Sequence, residues 1–480
     1  MFTLLATGCV ADPADVLGHS EEGLSGGSSE APYLLPTRAG VTFEALISVG
    51  DQAAKGGYRM VGIPDGLGAW GNGSKIHLLM SHELNTSQGI VRAHGAKGGF
   101  ISRWRIDKDT RVVERGSDLV EQVALWDVGA GSYAAPATGV AFNRFCSGDL
   151  PPPSAFYDEA SGLGYPDRMY MAGEEADDDG RGFAHDIESG VSYELPRMGR
   201  MGFENLVARP ASGIATVVVG TDDGDPAGEV VVYVGTKTAT GTPPERAGLT
   251  NGTLYGIKIP GYPREQTGGV QQPPPAAGTP IELFALGDMT GVSENALQAL
   301  ETANGVTSFD RPEDAHWNPA DRNQLLFATT ASFTRSTRLW RVTFIDGANP
   351  ALGGTIECLI DGNAAAVGGV TPRMFDNLTV TDDGRWAYLQ EDPGNRAHLA
   401  KIWRFDLATR RLELVAQHDP ARFIAGLAGF LTQDEESSGI IDASSMLGAG
   451  TFLLDVQVHK NSTDPELVQG GQLLIMTVTD

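Results

Sequence analysis

Cysteine is nearly absent from this chain: three residues in 480, Cys9, Cys146 and Cys358, with no Cys-x-x-Cys pair. That excludes a disulfide framework and a zinc ribbon. Base is also scarce. Lys and Arg number 35 against 61 Asp and Glu, a formal charge of −26. No basic patch interrupts the acidity, so nucleic acid and anionic membrane surfaces are excluded as charge-driven partners. No apolar run reaches about 18 residues, so no transmembrane helix is expected. Missing too are a Gly-x-Ser-x-Gly elbow, a Walker-type phosphate loop, a His-Glu-x-x-His motif and a dinucleotide fingerprint. Helical periodicity is rare.

What the chain has in quantity is turn residues, with 62 Gly and 27 Pro. Short β-branched or aromatic runs such as KIHLLMSHEL, ATVVVGTDDG, EVVVYVGTKT, RLWRVTFIDG and KIWRFDLATR alternate with Asp/Gly/Asn turns. This rhythm recurs to the C-terminus. It predicts an all-β fold, a β-propeller with inserted loops and short helices; six blades are expected, although the repeats differ too much in sequence to count them. Residues 1–40, ending in a Gly/Ser-rich stretch, read as a leader or flexible segment, and residues 41–480 as a single propeller domain. The apolar start up to Cys9 reads as the remnant of an export signal, with lipid attachment at Cys9 as a variant of that reading. The expected location is therefore periplasmic or extracellular. Residues 261–280 read as a Pro/Gly-rich surface loop, and residues 294–304 as one short helix with Ser293 as its N-cap.

Most of the carboxylates suit a solvated acidic surface. A subset could converge on hard cations such as calcium, which take oxygen ligands. A propeller channel gathers one loop from every blade, so acids and thiols at strand ends are the candidates. Ser81-His82-Glu83 closes an apolar strand. Cys146 lies in a polar Gly/Pro-rich stretch, where a metal-binding thiolate is more plausible than at Cys358, which reads as a small buried hydrophobe. Glu174 and Glu175 follow the strand RMYM, ahead of an acidic turn at Asp177 to Asp179. Glu204 stands alone beside Phe203. In Asp310-Arg311-Pro312-Glu313, Arg311 offers a planar fork to a phosphate and Glu313 a cation ligand. Asp376-Asn377 precedes a strand and reads equally as a turn.

In this order the motifs LLMSHEL, FCSGD, AGEEAD, GRMGFEN, DRPED and FDN resemble the PhoX-type alkaline phosphatases, over about residue 45 to the end. The resemblance implies a propeller holding calcium and iron (Ca2+ and Fe3+) in its channel. It implies metal ligands at Cys146, Glu174, Glu175, Glu204, Glu313 and Asp376, and a phosphate-binding Arg311. Arg311 and Glu204 are the catalytic candidates, and a small phosphorylated compound is the substrate. The chain departs from the family after Cys146, where Ser147-Gly148-Asp149 and three prolines stand in place of its glycine-rich run, at Phe203 (His) and at Asp314 (Trp). Fold and metal binding tolerate such changes better than substrate choice does. Two other readings remain open at this stage: a calcium-stabilised propeller that binds protein or glycan, and a phytase-like or lactonase-like hydrolase.

Overall fold

The computed structural model describes residues 27–176, 179–224 and 228–479. Six four-stranded antiparallel blades surround one axis. Their inner strands are Pro64–Asn72, Phe145–Asp149, Phe203–Ala208, Pro312–Trp317, Phe375–Val380 and Glu435–Asp442. Each neighbours the next around the channel, and the last returns to the first. The blades are numbered in this order.

Strand sequences explain the packing. Ala215–Asp222 and Gly228–Thr236 of blade 3 are buried on both faces, because a neighbouring blade covers each side. Side chains alternate along a strand. Val217, Val219 and Val232 therefore pack with Leu325, Phe327 and Trp340 of blade 4. Val218 and Val231 pack with Met169, Met171 and Ala184 of blade 2. β-Branched residues suit this two-sided burial, and each buried valine contributes about 1.5–3 kcal/mol. At Gly66 an added Cβ would lie 2.3 Å from the Gly148 amide, so the inner strands of blades 1 and 2 can approach only without a side chain there.

The ring is closed by the N-terminal part of the chain. Val41–Ser48 pairs with Gly470–Val478 as the outer strand of blade 6. Part of the expected leader is also built in: Leu34–Pro36 adds an edge strand to blade 5, and Tyr33 and Leu34 are in the core. The lipid-attachment reading at Cys9 and the acidic-turn reading at Asp177 and Asp178 lie outside the described residues. No helix among the described residues is long and apolar enough to cross a membrane.

Two insertions differ in part from expectation. The 261–280 loop carries a small hairpin (Gln266–Thr267 with Val270–Gln271) and is anchored by Glu265. That residue is fully buried and 3.0 Å from Arg338. The helix Glu294–Asn304 forms as expected and ends at Gly305 in the left-handed conformation, but the Ser293 side chain makes no capping bond. This helix buries Glu301 at 2% exposure. One carboxylate oxygen of Glu301 and one of Glu229 lack a hydrogen-bond partner. Burial, reinforced by Glu229, pushes the Glu301 carboxyl up to about 9. A folded pKa above the unfolded one (about 4.3) means that Glu301 destabilises the fold progressively as pH rises from about 4.3 toward 9. Glu301→Gln removes this term. It is expected to raise stability at pH 8 by about 1–3 kcal/mol and to leave it nearly unchanged at pH 4.5. Urea denaturation at the two pH values measures the difference, and an equal effect at both would contradict the assignment.

Candidate functional site

The second residue of every inner strand is acidic or a thiol: Asp65, Cys146, Glu204, Glu313, Asp376 and Glu436. All are buried. Four of these strands are entered through a left-handed residue: Ile63 (φ 50°), Arg144 (φ 49°), Arg311 (φ 62°) and Met374 (φ 44°). Such φ values cost a non-glycine residue about 1–3 kcal/mol and concentrate at functional sites. Here each bend precedes the ring residue by two positions.

A second tier lies beside the first, at the residues that follow the second strand of each blade: Glu83, Glu175, Asp223, Thr330, Asp392 and His459. One backbone bond repeats six times to fix it. The amide of each donates to the carbonyl two residues before a ring position: Ile63, Arg144, Gly202, Arg311, Met374 and Asp434, at 2.9 to 3.0 Å. The fold thus presents two stacked rings. Together they hold nine carboxylates, one thiol and one hydroxyl against three bases, Arg144, Arg311 and His459.

Three groups of donor atoms within the rings lie within 4.8 Å of one another: Asp65, Glu83 and Cys146; Cys146, Glu175 and Glu204; Glu204, Glu313 and Asp376. Cys146 and Glu204 are each shared by two groups, so the three form a continuous arc. Each group could hold a metal ion. Several of their atoms lack donors. Glu204 Oε1 and Asp376 Oδ1 are buried with no hydrogen-bond partner. Glu175 Oε2 and Glu313 Oε1 face Arg144 and Arg311 at 2.8 and 3.4 Å, but not in hydrogen-bonding alignment. Behind the arc, Asp455 is fully buried and neither of its oxygens has a partner.

The electrostatics follow from this crowding. Burial, and then neighbouring carboxylates, drive the Glu204, Glu313 and Asp376 carboxyls well above the usual range. Burial together with Asp65 and Glu204 does the same to the Cys146 thiol. Glu83 is the exception: burial raises it, but Arg144 outweighs burial and holds it low. Burial alone would lower His459, yet its contacts with Glu436 and Gln469 bring the imidazole up to about 10. Without cations, such a site can exist only with several carboxyls protonated. A bound cation reverses that preference and favours thiolate and carboxylate ligands.

Arg144 Nε donates to Glu83 at 3.0 Å. Arg311 makes a two-point pair with Asp223, at 2.7 and 2.6 Å. In both, Nη1 has no hydrogen bond among the described residues, and the side chains are 40% and 26% exposed. They hold equivalent places in blades 2 and 4, each two residues before a ring position. Gln457 donates to Asp65, Glu83 and Glu436 at 3.1, 3.1 and 3.2 Å. Below the rings, Asn377 Nδ2 donates to Asp65 at 3.1 Å, Asn205 Nδ2 donates to Ser147 at 3.2 Å and to Asp314, and Asp314 accepts the Leu378 amide.

Of the residues singled out in the sequence, the structure brings Cys146, Glu175, Glu204, Glu313 and Asp376 together in the arc, with Arg311 leaning over it. It does not bring Glu174 there. Glu174 ends its strand pointing away from the channel, where Arg181 grips it through Nε and Nη2 at 2.6 and 2.7 Å and the Asn143 amide donates to it. Neighbouring positions on a strand face opposite sides, so only one of the Glu174-Glu175 pair can reach the channel. Glu83 reaches the channel and His82 does not. The His82 ring stacks on Phe100 at 4.2 Å and bonds Gly62 and Ser102. Cys358 lies partly buried against the core, its thiol donating to the Ile360 carbonyl at 3.0 Å.

Comparison with solved structures supplies a fold. Over 92% of this chain and 95% of the other, the structure is similar to Pseudomonas fluorescens PhoX in complex with vanadate, a transition state analogue, at a TM-score of 0.58 and 14% identity. The Pseudomonas aeruginosa periplasmic gluconolactonase PpgL aligns over 84% of this chain and 82% of its own, at a TM-score of 0.36 and 13% identity. No family model and no curated protein matches the sequence. The chain has a PhoX-like propeller fold.

Proposed function

We propose that this protein is a metal-dependent phosphoester hydrolase whose centre is the arc of three donor groups. The observation that carries the reading is the sharing of Cys146 and Glu204 between adjacent groups, with buried oxygens that no donor satisfies. A thiol beside carboxylates suits iron, and the carboxylate-only group of Glu204, Glu313 and Asp376 suits calcium. Held there, such cations would neutralise the phosphoryl oxygens and offset the charge that develops as the ester bond breaks. The chain's own residues have separate tasks. Arg311 and Arg144, each clamped by carboxylates on two nitrogens, keep Nη1 for an incoming phosphate and so orient it from two sides. Their paired carboxylates fix the forks before substrate arrives. In a chain of charge −26, only with the cations held there would this mouth draw in an anion. The exported location expected from the sequence belongs to this reading. Glu174 is left out of the ligand set.

Hydrolysis of p-nitrophenyl phosphate by the purified chain, supplied with calcium and iron, is the direct test. Activity is expected, together with a visible thiolate-to-iron absorption that Cys146→Ser removes. No turnover of any phosphomonoester under these conditions rejects the reading. Calcium binding without iron and without turnover would favour a structural-metal propeller instead.

A further inference from the structure

The loops on the same face of the propeller carry a second feature, outside the rings and over blade 5. It is a cavity of about 760 Å3, lined in part by Phe333, Arg373, His398, Lys401 and Phe423. That volume is of the order that accepts a small organic ligand. Its chemistry differs from the channel's. The half-buried Phe333 ring carries two guanidinium groups, with Arg373 Cζ and Arg396 Cζ 5.7 and 5.1 Å from its centroid. His398 meets the same ring edge-on at 5.5 Å, and Lys401 Nζ lies 3.0 Å from His398 Nε2.

Arg373, Arg396 and Lys401 have no carboxylate within ion-pair distance among the described residues. By contrast, Arg404 on the third strand of this blade and Arg410 and Arg411 in the turn after it are each paired. Two unpaired guanidinium groups on one aromatic ring, with an unpaired ammonium beside His398, stand out in so acidic a chain. Glu391 joins the cavity to the rings. It accepts the Arg373 amide at 2.8 Å and His398 Nε2 at 2.9 Å, and its neighbour is Asp392 of the second tier. Phe333 lies three residues beyond Thr330 of that tier.

We infer that this cavity receives the organic part of the ester: a planar aromatic group bearing its own negative charge. The ring would pack against Phe333 and Phe423, and the anion would sit at Arg373, which lines the cavity, with Arg396 adding its charge through the Phe333 ring it covers. This rests on the phosphoester reading of the channel, and two measurements keep the inferences separable. The first is fluorescence titration of the full chain as purified with 8-anilinonaphthalene-1-sulfonate, an aryl anion, comparing wild type with the double variant Arg373→Ala/Arg396→Ala. Affinity is expected to fall by about fivefold or more. The second uses metal-loaded protein. In the double variant kcat/KM is expected to fall about tenfold for 4-carboxyphenyl phosphate and less than about twofold for glycerol 2-phosphate, which has no ring. Unchanged dye affinity, or equal losses for both esters, overturns the inference. If dye affinity falls but neither ester is hydrolysed even by wild type, the cavity stands as an aryl-anion site and the channel reading is lost.

Discussion

Stripping the purified protein of bound cations is expected to lower its melting temperature by about 10 °C. Nine carboxylates face three bases in the two rings, an excess of six negative charges in a largely buried space. Without cations the chain must protonate acids against their normal tendency or accept repulsion. Each saturated site stabilises the folded state by about 4 kcal/mol when free cation exceeds Kd about a thousandfold. For three donor groups that is on the order of 10 kcal/mol. A chain of this length gains roughly 2.1 cal/mol/K of unfolding entropy per residue, so each kcal/mol moves Tm by about 1 °C. Scanning calorimetry of chelated and reconstituted protein measures the shift, with calcium and iron added back separately to apportion it. Identical melting with and without cations would leave the rings as a protonated network and remove the basis for a metal centre.

The propeller was legible because two signals agree along the whole chain: β-branched runs of strand length and turn residues between them. Blade 3 shows why. Its strands GEVVVYVGT and ATVVVGTD carry unbroken valine-rich runs through their middles, which a sheet covered on both sides requires and a sheet with one wet face does not. The ring closure was not legible. VTFEALIS at the N-terminal end completes the last blade through pairing between residues more than 400 positions apart, and no local pattern encodes such a pairing. Leu34–Pro36 was missed for the same reason, since three residues carry no periodicity.

The site was half visible. Cys146, Glu175, Glu204, Glu313 and Asp376 stood out as acids or a thiol at strand ends. Glu83 was a candidate only as one of a His-Glu pair, and Asp65, Glu436, Asp223 and Asp392 were not assigned, although a repeat marks some of them. A Phe or Pro followed by an acid or thiol opens five of the six inner strands: Pro64-Asp65, Phe145-Cys146, Phe203-Glu204, Pro312-Glu313 and Phe375-Asp376. Buried Phe145, Phe203 and Phe375 lock the strand start against the core, so the next side chain must face the channel. Arg144 carries the same signal, because Arg-x-Cys146 matches Arg311-x-Glu313. The Glu174 error came from treating an adjacent pair as one unit, when strand geometry sends its members to opposite faces.

That geometry gives two neighbouring-in-kind substitutions opposite consequences. Glu204→Gln keeps the shape of the side chain and removes its charge at the position shared by two donor groups. It is expected to lower bound-metal content by at least one ion and kcat/KM for a phosphomonoester by about 100-fold or more, since ligand loss disturbs both cations at once. In the metal-free chain folding should change little, because no hydrogen bond to Glu204 Oε1 is lost, whereas loaded protein gives up the stabilisation of the missing ion. Glu174→Gln acts elsewhere. It breaks the charge match of a buried two-point ion pair with Arg181, 5% and 19% exposed, and leaves a guanidinium without its counter-charge. The expected cost is about 3 kcal/mol of stability with metal content unchanged. Elemental analysis of loaded protein and urea denaturation of metal-free protein therefore give crossed results on the two variants: metal lost with little intrinsic stability in one, intrinsic stability lost without metal in the other. Metal retained in Glu204→Gln, or lost equally in both, would mean that the arc is not where the cations bind.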